Sequence, residues 1–308
     1  MLNALYRRGL LGVAEAPPVE SFVKTQGWKL GVKRFVAGEG LDTALPALRE
    51  LESKGLYGIF DLLGEFVDTE EGAAEMTDKI LTTLDRLEET DLNRYMSVKP
   101  TQLGLGISVE LGIENARRVA QRAREVDAHI CLDMENYPYV EGTLEMYRTL
   151  HEEGFSNVST VLQSYLRRTK DDLDALLELD PKPTLRIVKG AYREDEDVAY
   201  KEKSKVDAVF RELVFTGLNG GAKINVATHD ESILNEVTAF VKGAQLGSES
   251  YEYQFLYGVK PNLQTKLVEE GHLVRIYVPY GEDWYGYFSR RLAERPANLM
   301  FVVKGMFG

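Results

Sequence analysis

Tyr287, Arg290, Arg291 and Glu294 stand at i, i+3, i+4 and i+7, the spacing that sets four side chains on one face of a helix. Two neighbouring guanidinium groups on such a face can grip a small carboxylate from two sides, each with a planar fork of donors. Glu294, three and four residues beyond the pair, is within reach of either arginine. A solvated surface helix carries the same pattern. A clamp needs further polar groups to face.

The rest of the chain supplies them. Short apolar runs rich in β-branched and aromatic residues occur at 58–62, 95–99, 130–133, 158–163, 185–189, 224–228, 253–256 and 274–278. Each ends at or near a polar residue, and amphipathic stretches at about 70–90, 109–127, 139–153, 169–179, 199–218 and 230–243 alternate with them. Strand–helix alternation implies a parallel sheet with right-handed crossovers. Eight such units in about 250 residues match a (βα)8 barrel. A doubly wound open sheet is the competitor, but it would bring a glycine fingerprint after the first strand. That turn reads Asp61-Leu-Leu-Gly-Glu-Phe, and Gly104-Leu-Gly106 has Val109 where a third glycine should stand.

A barrel places its active site at the carboxyl ends of the strands. Those ends are Asp61, Lys99, Asp133, Gln163, Lys189, Thr228-His229 and Tyr277. Each alone has a plain explanation, a strand emerging into water; together they put acids, bases, an amide, an imidazole and a phenol on one rim. Arg186 is odder, being set between Leu185 and Ile187. A buried guanidinium is costly unless paired. Val188 and Gly190, at alternate positions beyond it, leave room for a flat or anionic group such as a cofactor.

Ahead of the barrel, 3–16 and 19–37 carry helical periodicity around Pro17-Pro18, and 41–54 reads as a helix closed by Gly55. The expected division is an N-terminal helical arm, 1–55, packed on a catalytic barrel, 56–308. The 308 residues are 44% hydrophobic, and 49 acids against 37 bases give a net charge of −12. Nucleic acid and anionic membrane surfaces are therefore poor partners. One cysteine and four dispersed histidines offer neither a disulfide framework nor metal-ligand spacing, so no metal is expected. With no signal-peptide pattern and no bilayer-length apolar segment, a cytoplasmic protein is expected.

Seven segments in order and spacing resemble the proline dehydrogenase family. They are Lys99-Pro, Leu132-Asp-Met-Glu, Val161-Leu-Gln-Ser-Tyr, Leu185-Arg-Ile-Val-Lys-Gly-Ala-Tyr, Ala227-Thr-His, Tyr253-Gln-Phe-Leu-Tyr-Gly and Tyr287-Phe-Ser-Arg-Arg-Leu-Ala-Glu. The resemblance runs from about residue 55 to 301, and the length suggests the monofunctional bacterial type. It implies a distorted (βα)8 TIM-type barrel with additional N-terminal helices, holding FAD, its eighth barrel helix lying over the flavin. It implies that Arg290 and Arg291 bind the L-proline carboxylate and that Glu294 holds the arginine pair. Lys99, Asp133, Ala191, Tyr192, Leu256, Tyr277 and Tyr287 would line the substrate pocket, with Asp133, Arg186, Lys99 and Tyr277 at the chemistry. Met134, Gln163, Arg186, Val188, Lys189, Gly190, Thr228 and His229 would contact FAD, and Lys203 its pyrophosphate or adenosine end. Glu65 resembles the acid that pairs with Arg291 to gate the site. The segment between Tyr277 and Tyr287 departs from some relatives, which bears on loop conformation.

The implied reaction is oxidation of L-proline to Δ1-pyrroline-5-carboxylate, with a quinone as electron acceptor and a separate pyrroline-5-carboxylate dehydrogenase as a candidate partner. Membrane contact would then be at most peripheral, on the inner face of the cytoplasmic membrane, with 3–16 as a weak candidate. Two other readings use the same residues. One is a Schiff-base barrel enzyme with Lys99 or Lys189 as the amine and Asp133 as proton shuttle; the other is a non-catalytic amino-acid-binding barrel.

Overall fold

The computed structural model describes residues 23–28, 31–64 and 67–294, the side chains of 293 and 294 excepted. Eight parallel strands close on themselves in sequence order. They are β1 (Tyr57–Leu62), β2 (Tyr95–Val98), β3 (His129–Leu132), β4 (Val158–Gln163), β5 (Thr184–Val188), β6 (Lys223–Ala227), β7 (Tyr251–Leu256) and β8 (Val274–Tyr280). β8 pairs with β1, Tyr57 opposite Arg275 and Ile59 opposite Tyr277. The fold is the (βα)8 barrel expected from the alternation.

Helix α1 (Leu41–Ser53) precedes the barrel, and α2 (Glu70–Glu88) follows β1. α2 shows how the sequence makes its elements. Thr69 caps it by accepting the Gly72 N–H, and Glu70 and Glu71 meet the positive end of its dipole. Ala73, Met76, Ile80, Leu84 and Leu87 form one buried stripe at helical spacing. Burying each large member stabilises the fold by about 1.5–3 kcal/mol. The other connecting helices follow suit: α3 (Val109–Glu125), α4 (Val140–Glu152), α5 (Thr169–Leu177), α6 (Lys203–Asn219), α7 (Glu231–Gly243) and α8 (Pro261–Glu269). α8 has no sequence signal in the reading above. It is nine residues long and buries only Gln264 and Leu267, too little to raise a periodicity.

The last helix, α9 (Trp284–Glu294), does not lie against the side of the barrel. α1 packs there on β1 and β8, with Leu48 seated on Gly58, where an added methyl would come within 2.3 Å of it. α9 turns over the mouth and buries Trp284, Tyr287, Phe288 and Leu292 in a second core with Val32, Phe35, Val36 and Leu63. Trp28 and Trp284 both donate to Glu39 Oε1, at 2.6 and 3.2 Å. Within the arm, Trp28, Val32, Phe35, Val36 and Glu39 thus meet the helix over the mouth, while α1 lies on the flank. Among the described residues of 19–37 the helix is not continuous: 23–26 are helical, Gly31 adopts φ 101°, and a 3-10 turn covers Val32–Arg34. A glycine in the left-handed region ends a helix whatever the surrounding periodicity.

The turn into α9 rests on Gly281. Its φ is 134°, its N–H donates to the Gly38 carbonyl, and an added methyl would lie 2.8 Å from the Leu63 carbonyl oxygen. Gly281→Ala should therefore lower stability by about 1–3 kcal/mol, read as a shift in urea midpoint at constant slope.

Inside the barrel the strands are polar, against the apolar habit of parallel sheets. Toward the floor, Tyr95 meets Ser159 and Asn225 at 3.3 and 3.2 Å, and His129 Nε2 lies 2.8 Å from Ser159 Oγ. Burial holds the His129 imidazole down at about 3, and the cations of Arg275, Lys223 and Arg186 add to this. An unfolded chain would protonate it near pH 6.5. Its contribution to stability is thus complete above about pH 6.5 and is lost as pH falls toward 3. Unfolding titrations of His129→Asn should show a shallower acid loss between about pH 6 and 4 than the parent.

Candidate active site

Asp133 follows β3 at the mouth, and three strands deliver donors to it. Oδ1 accepts from Ser97 Oγ and from Arg186 Nη1, each at 2.6 Å, and Oδ2 accepts from the Tyr277 hydroxyl at 2.7 Å. Lys99 Nζ sits 2.9 Å from Asp61 Oδ1 and 3.9 Å from Asp133 Oδ2. Burial lifts the Asp61 carboxyl above its usual range, with Lys99 pulling against it. For Lys99, burial pulls down, but the Asp61 and Asp133 carboxylates outweigh it and hold the ammonium above its ordinary value. A Schiff-base lysine needs a free amine, and this one is kept charged. Burial, reinforced by Asp133, pushes the Tyr277 phenol well above its ordinary value, so it stays a donor.

α9 brings the arginine pair to this cluster. Tyr287, Arg290 and Arg291 line the same cavity, of about 400 Å³, as Asp133, Gln163 and Arg186. The Arg291 guanidinium lies over the Tyr287 ring, 5.1 Å from its centroid, and is half-buried while Arg290 is exposed. Ala191, Tyr192 and Leu256 line this cavity as well.

Met134, Val188, Lys189, Gly190, Thr228 and His229 line the same cavity. The Leu256 N–H donates to His229 Nε2 at 3.0 Å, which leaves the ring proton on Nδ1. Gly190 has φ 108°, and an added methyl would lie 2.2 Å from the Tyr165 ring, so no other residue fits there without displacing Tyr165. Gln163 and Arg186 line the cavity, and each carries a buried atom without a protein partner, Oε1 and Nη2. An unmet acceptor and an unmet donor on residues of a cavity also walled by Val161, Val188 and Leu256 suit a flat heterocycle that carries both kinds of polar edge.

The sequence profile described as proline dehydrogenase matches residues 44–304. The chain belongs to the proline dehydrogenase family. It is 45% identical to a proline dehydrogenase of Deinococcus radiodurans, over 99% of each chain, and 37% identical to proline dehydrogenase 1 of Bacillus subtilis, over 98% of this chain and 99% of that one. Among solved structures, a proline utilization A protein (PutA) of Bdellovibrio bacteriovorus inactivated by N-propargylglycine superposes with a TM-score of 0.80 at 24% identity. That match covers 89% of this chain and 33% of the PutA chain, so the chain spans about a third of that protein. A PutA from Bradyrhizobium japonicum gives a TM-score of 0.71 at 21% identity over 86% of this chain, again the same fold. Family membership makes the protein an oxidoreductase, and the aldolase-type reading falls.

Of the residues expected at this proline dehydrogenase site, Lys203 stands apart from the cavity lining. Its ammonium pairs with Asp207 and lies 3.6 Å from Asp230. Those carboxylates also hold Lys189, at 2.6 and 3.2 Å, so the two lysines share one acidic anchor at the rim. Glu65 and the Glu294 side chain lie outside the described residues. Three functional contacts went unread in the sequence: Asp61 as the Lys99 partner, Ser97 on Asp133, and Gln254, whose Oε1 accepts from Arg186 Nε at 2.6 Å. Period-two spacing from Lys99 points to Ser97; nothing local marks the other two pairings. Among the described residues, no three His, Cys, Asp or Glu side chains group to hold a metal, and no helix is long and apolar enough to cross a membrane.

Proposed function

We propose that the protein oxidises L-proline at C5 to Δ1-pyrroline-5-carboxylate with FAD as the bound oxidant. The observation that carries this reading is the joint placement of Arg290 and Arg291 on the same cavity as Asp133, Gln163 and Arg186. FAD, held by Met134, Gln163, Arg186, Val188, Lys189, Gly190, Thr228 and His229, would supply the two-electron acceptor. The unmet Gln163 Oε1 and Arg186 Nη2 support that assignment.

The chain's own residues bind and orient the substrate. Arg290 and Arg291 take the carboxylate by charge-assisted, forked hydrogen bonds. Tyr192, Tyr277 and Tyr287 wall a space suited to a small ring and ill suited to longer amines. Positioning of this kind is worth several kcal/mol of barrier, roughly 7–11 at its limit. Besides Lys189, which Asp207 and Asp230 hold, the lining carries the cations Lys99, Arg186, Arg290 and Arg291 beside the carboxylates Asp61 and Asp133. That cationic lining favours the substrate carboxylate and disfavours the protonated amine, whose lone pair is needed when C5 loses hydride. Asp133 holds Arg186 and Tyr277 in register rather than facing the substrate as a bare charge.

The family resemblance supports a quinone as the final acceptor, a separate pyrroline-5-carboxylate dehydrogenase as consumer of the product, and a cytoplasmic protein touching the membrane only peripherally. It also supports a gate formed by Glu65 with Arg291, and the periodicity of the sequence supports an arm at 1–55 packed on a barrel at 56–308. The test is an anaerobic absorption spectrum of the purified protein before and after L-proline. Visible flavin bands that bleach on addition are expected. A colourless protein, or bands indifferent to proline, would overturn the reading; proline binding without bleaching would favour a non-catalytic barrel.

A further inference from the structure

The guanidinium of Arg186 is braced from behind by a buried polar chain that the reaction as described does not use. Nε donates to Gln254 Oε1 at 2.6 Å, while Nη1 is taken by Asp133 and Ser97 at 2.6 and 3.0 Å. Gln254 Nε2 donates in turn to Glu252 Oε1 at 2.6 Å. Glu252 accepts from Arg275 Nε at 3.0 Å, and Arg275 is tied to Asn93 Oδ1 at 2.5 Å and lies 4.6 Å over the Tyr95 ring. All four links are deep in the barrel, with Arg186, Glu252, Gln254 and Arg275 at 4, 1, 3 and 7% exposure.

The chemistry of this chain admits one arrangement. Arginine only donates and carboxylate only accepts, so an amide between them must turn its oxygen to Arg186 and its nitrogen to Glu252. A flipped amide would set N–H against N–H and oxygen against carboxylate. Glu252 thus dictates the orientation of Gln254, and Gln254 that of Arg186. With Nε and both Nη1 contacts settled, Nη2 is the one nitrogen of Arg186 left without a protein partner.

We propose that Gln254 and Glu252, backed by Arg275, are positioning residues for the oxidation. They lock the Arg186 guanidinium in the orientation that presents Nη2 to the bound redox cofactor. The inference rests on the function proposed above. Neither residue need touch substrate or cofactor for this to hold.

The test compares the holoenzyme with two variants by flavin reduction potential, visible spectrum and steady-state kinetics in proline. Gln254→Met keeps length and removes both hydrogen bonds. It should lower the potential, shift the flavin bands and reduce kcat by about 10- to 100-fold, a loss typical of a misplaced contact. KM should move less than about threefold, because the carboxylate clamp is untouched. The exchange Glu252→Gln with Gln254→Glu preserves the donor–acceptor order of the chain. The carboxylate, moved to position 254, then accepts from Arg186, and the amide oxygen, moved to position 252, accepts from Arg275. This exchange should recover most of the lost kcat. A Gln254→Met enzyme with parental potential, bands and kcat overturns the proposal, as does one altered in KM alone. Should Gln254→Met fail to fold, the exchange decides: near-parental kcat supports the brace and a loss as large as tenfold overturns it. A parent protein that holds no flavin sinks the functional reading itself, an outcome distinct from all of these.

Discussion

Arg291→Lys should reduce kcat/KM for proline by about 100-fold, nearly all of it through KM. A lysine keeps the charge but loses the planar fork, and one arm of a two-armed carboxylate grip disappears. Truncating one member of a desolvated, hydrogen-bonded charge pair costs roughly 2–5 kcal/mol, and 2.7 kcal/mol is about 100-fold. The contact is made equally to bound proline and to the transition state, so kcat should hold while KM rises. Burial separates the two arginines. Arg291 is half-buried with its guanidinium over Tyr287, whereas Arg290 is exposed and its interactions are screened by water and salt. Arg290→Lys should accordingly show the weaker effect. Equal KM in the parent and Arg291→Lys would remove the clamp from this helix.

Asp133→Leu should cost about 3–5 kcal/mol of folding stability in the cofactor-free protein. The carboxylate is the counter-charge for Arg186, at 2.6 Å, and a second anion for Lys99. Deleting one partner of a buried pair strands the other in low dielectric, which is far worse than the pair's own small net contribution. Chemical denaturation at unchanged slope measures the loss. Asp133→Asn keeps an acceptor for Ser97 and Arg186 and should lose less. Similar midpoints for the Leu variant and the parent would mean that Arg186 finds another counter-ion, and the network drawn around Asp133 would be wrong.

Local sequence reached far into this site because a barrel converts strand ends into one rim. Lys99, Asp133 and Gln163 are scattered over 64 residues, yet each stands where its strand ends, so all face one cavity. Arg186 was legible for the opposite reason, a charge inside an apolar run that had to find a partner. Gln254 and Glu252 were not. Gln254 is an ordinary polar position within the run at 253–256 and Glu252 falls just ahead of that run, and their meaning depends on Arg186 and Arg275, which come from other strands.

The amino-acid sequence by itself determined the alternation of strand and helix, the identity of the rim and the shared helix face of Tyr287, Arg290 and Arg291, since periods of 2 and 3.6 are local properties of the chain. Only tertiary structure decided that this face looks down into the barrel. α1 occupies the flank of β1 and β8, and the left-handed turn at Gly281 sends α9 across the mouth instead. That choice pits one packing surface against another across more than 200 residues, and no stretch of sequence near either helix records which surface wins.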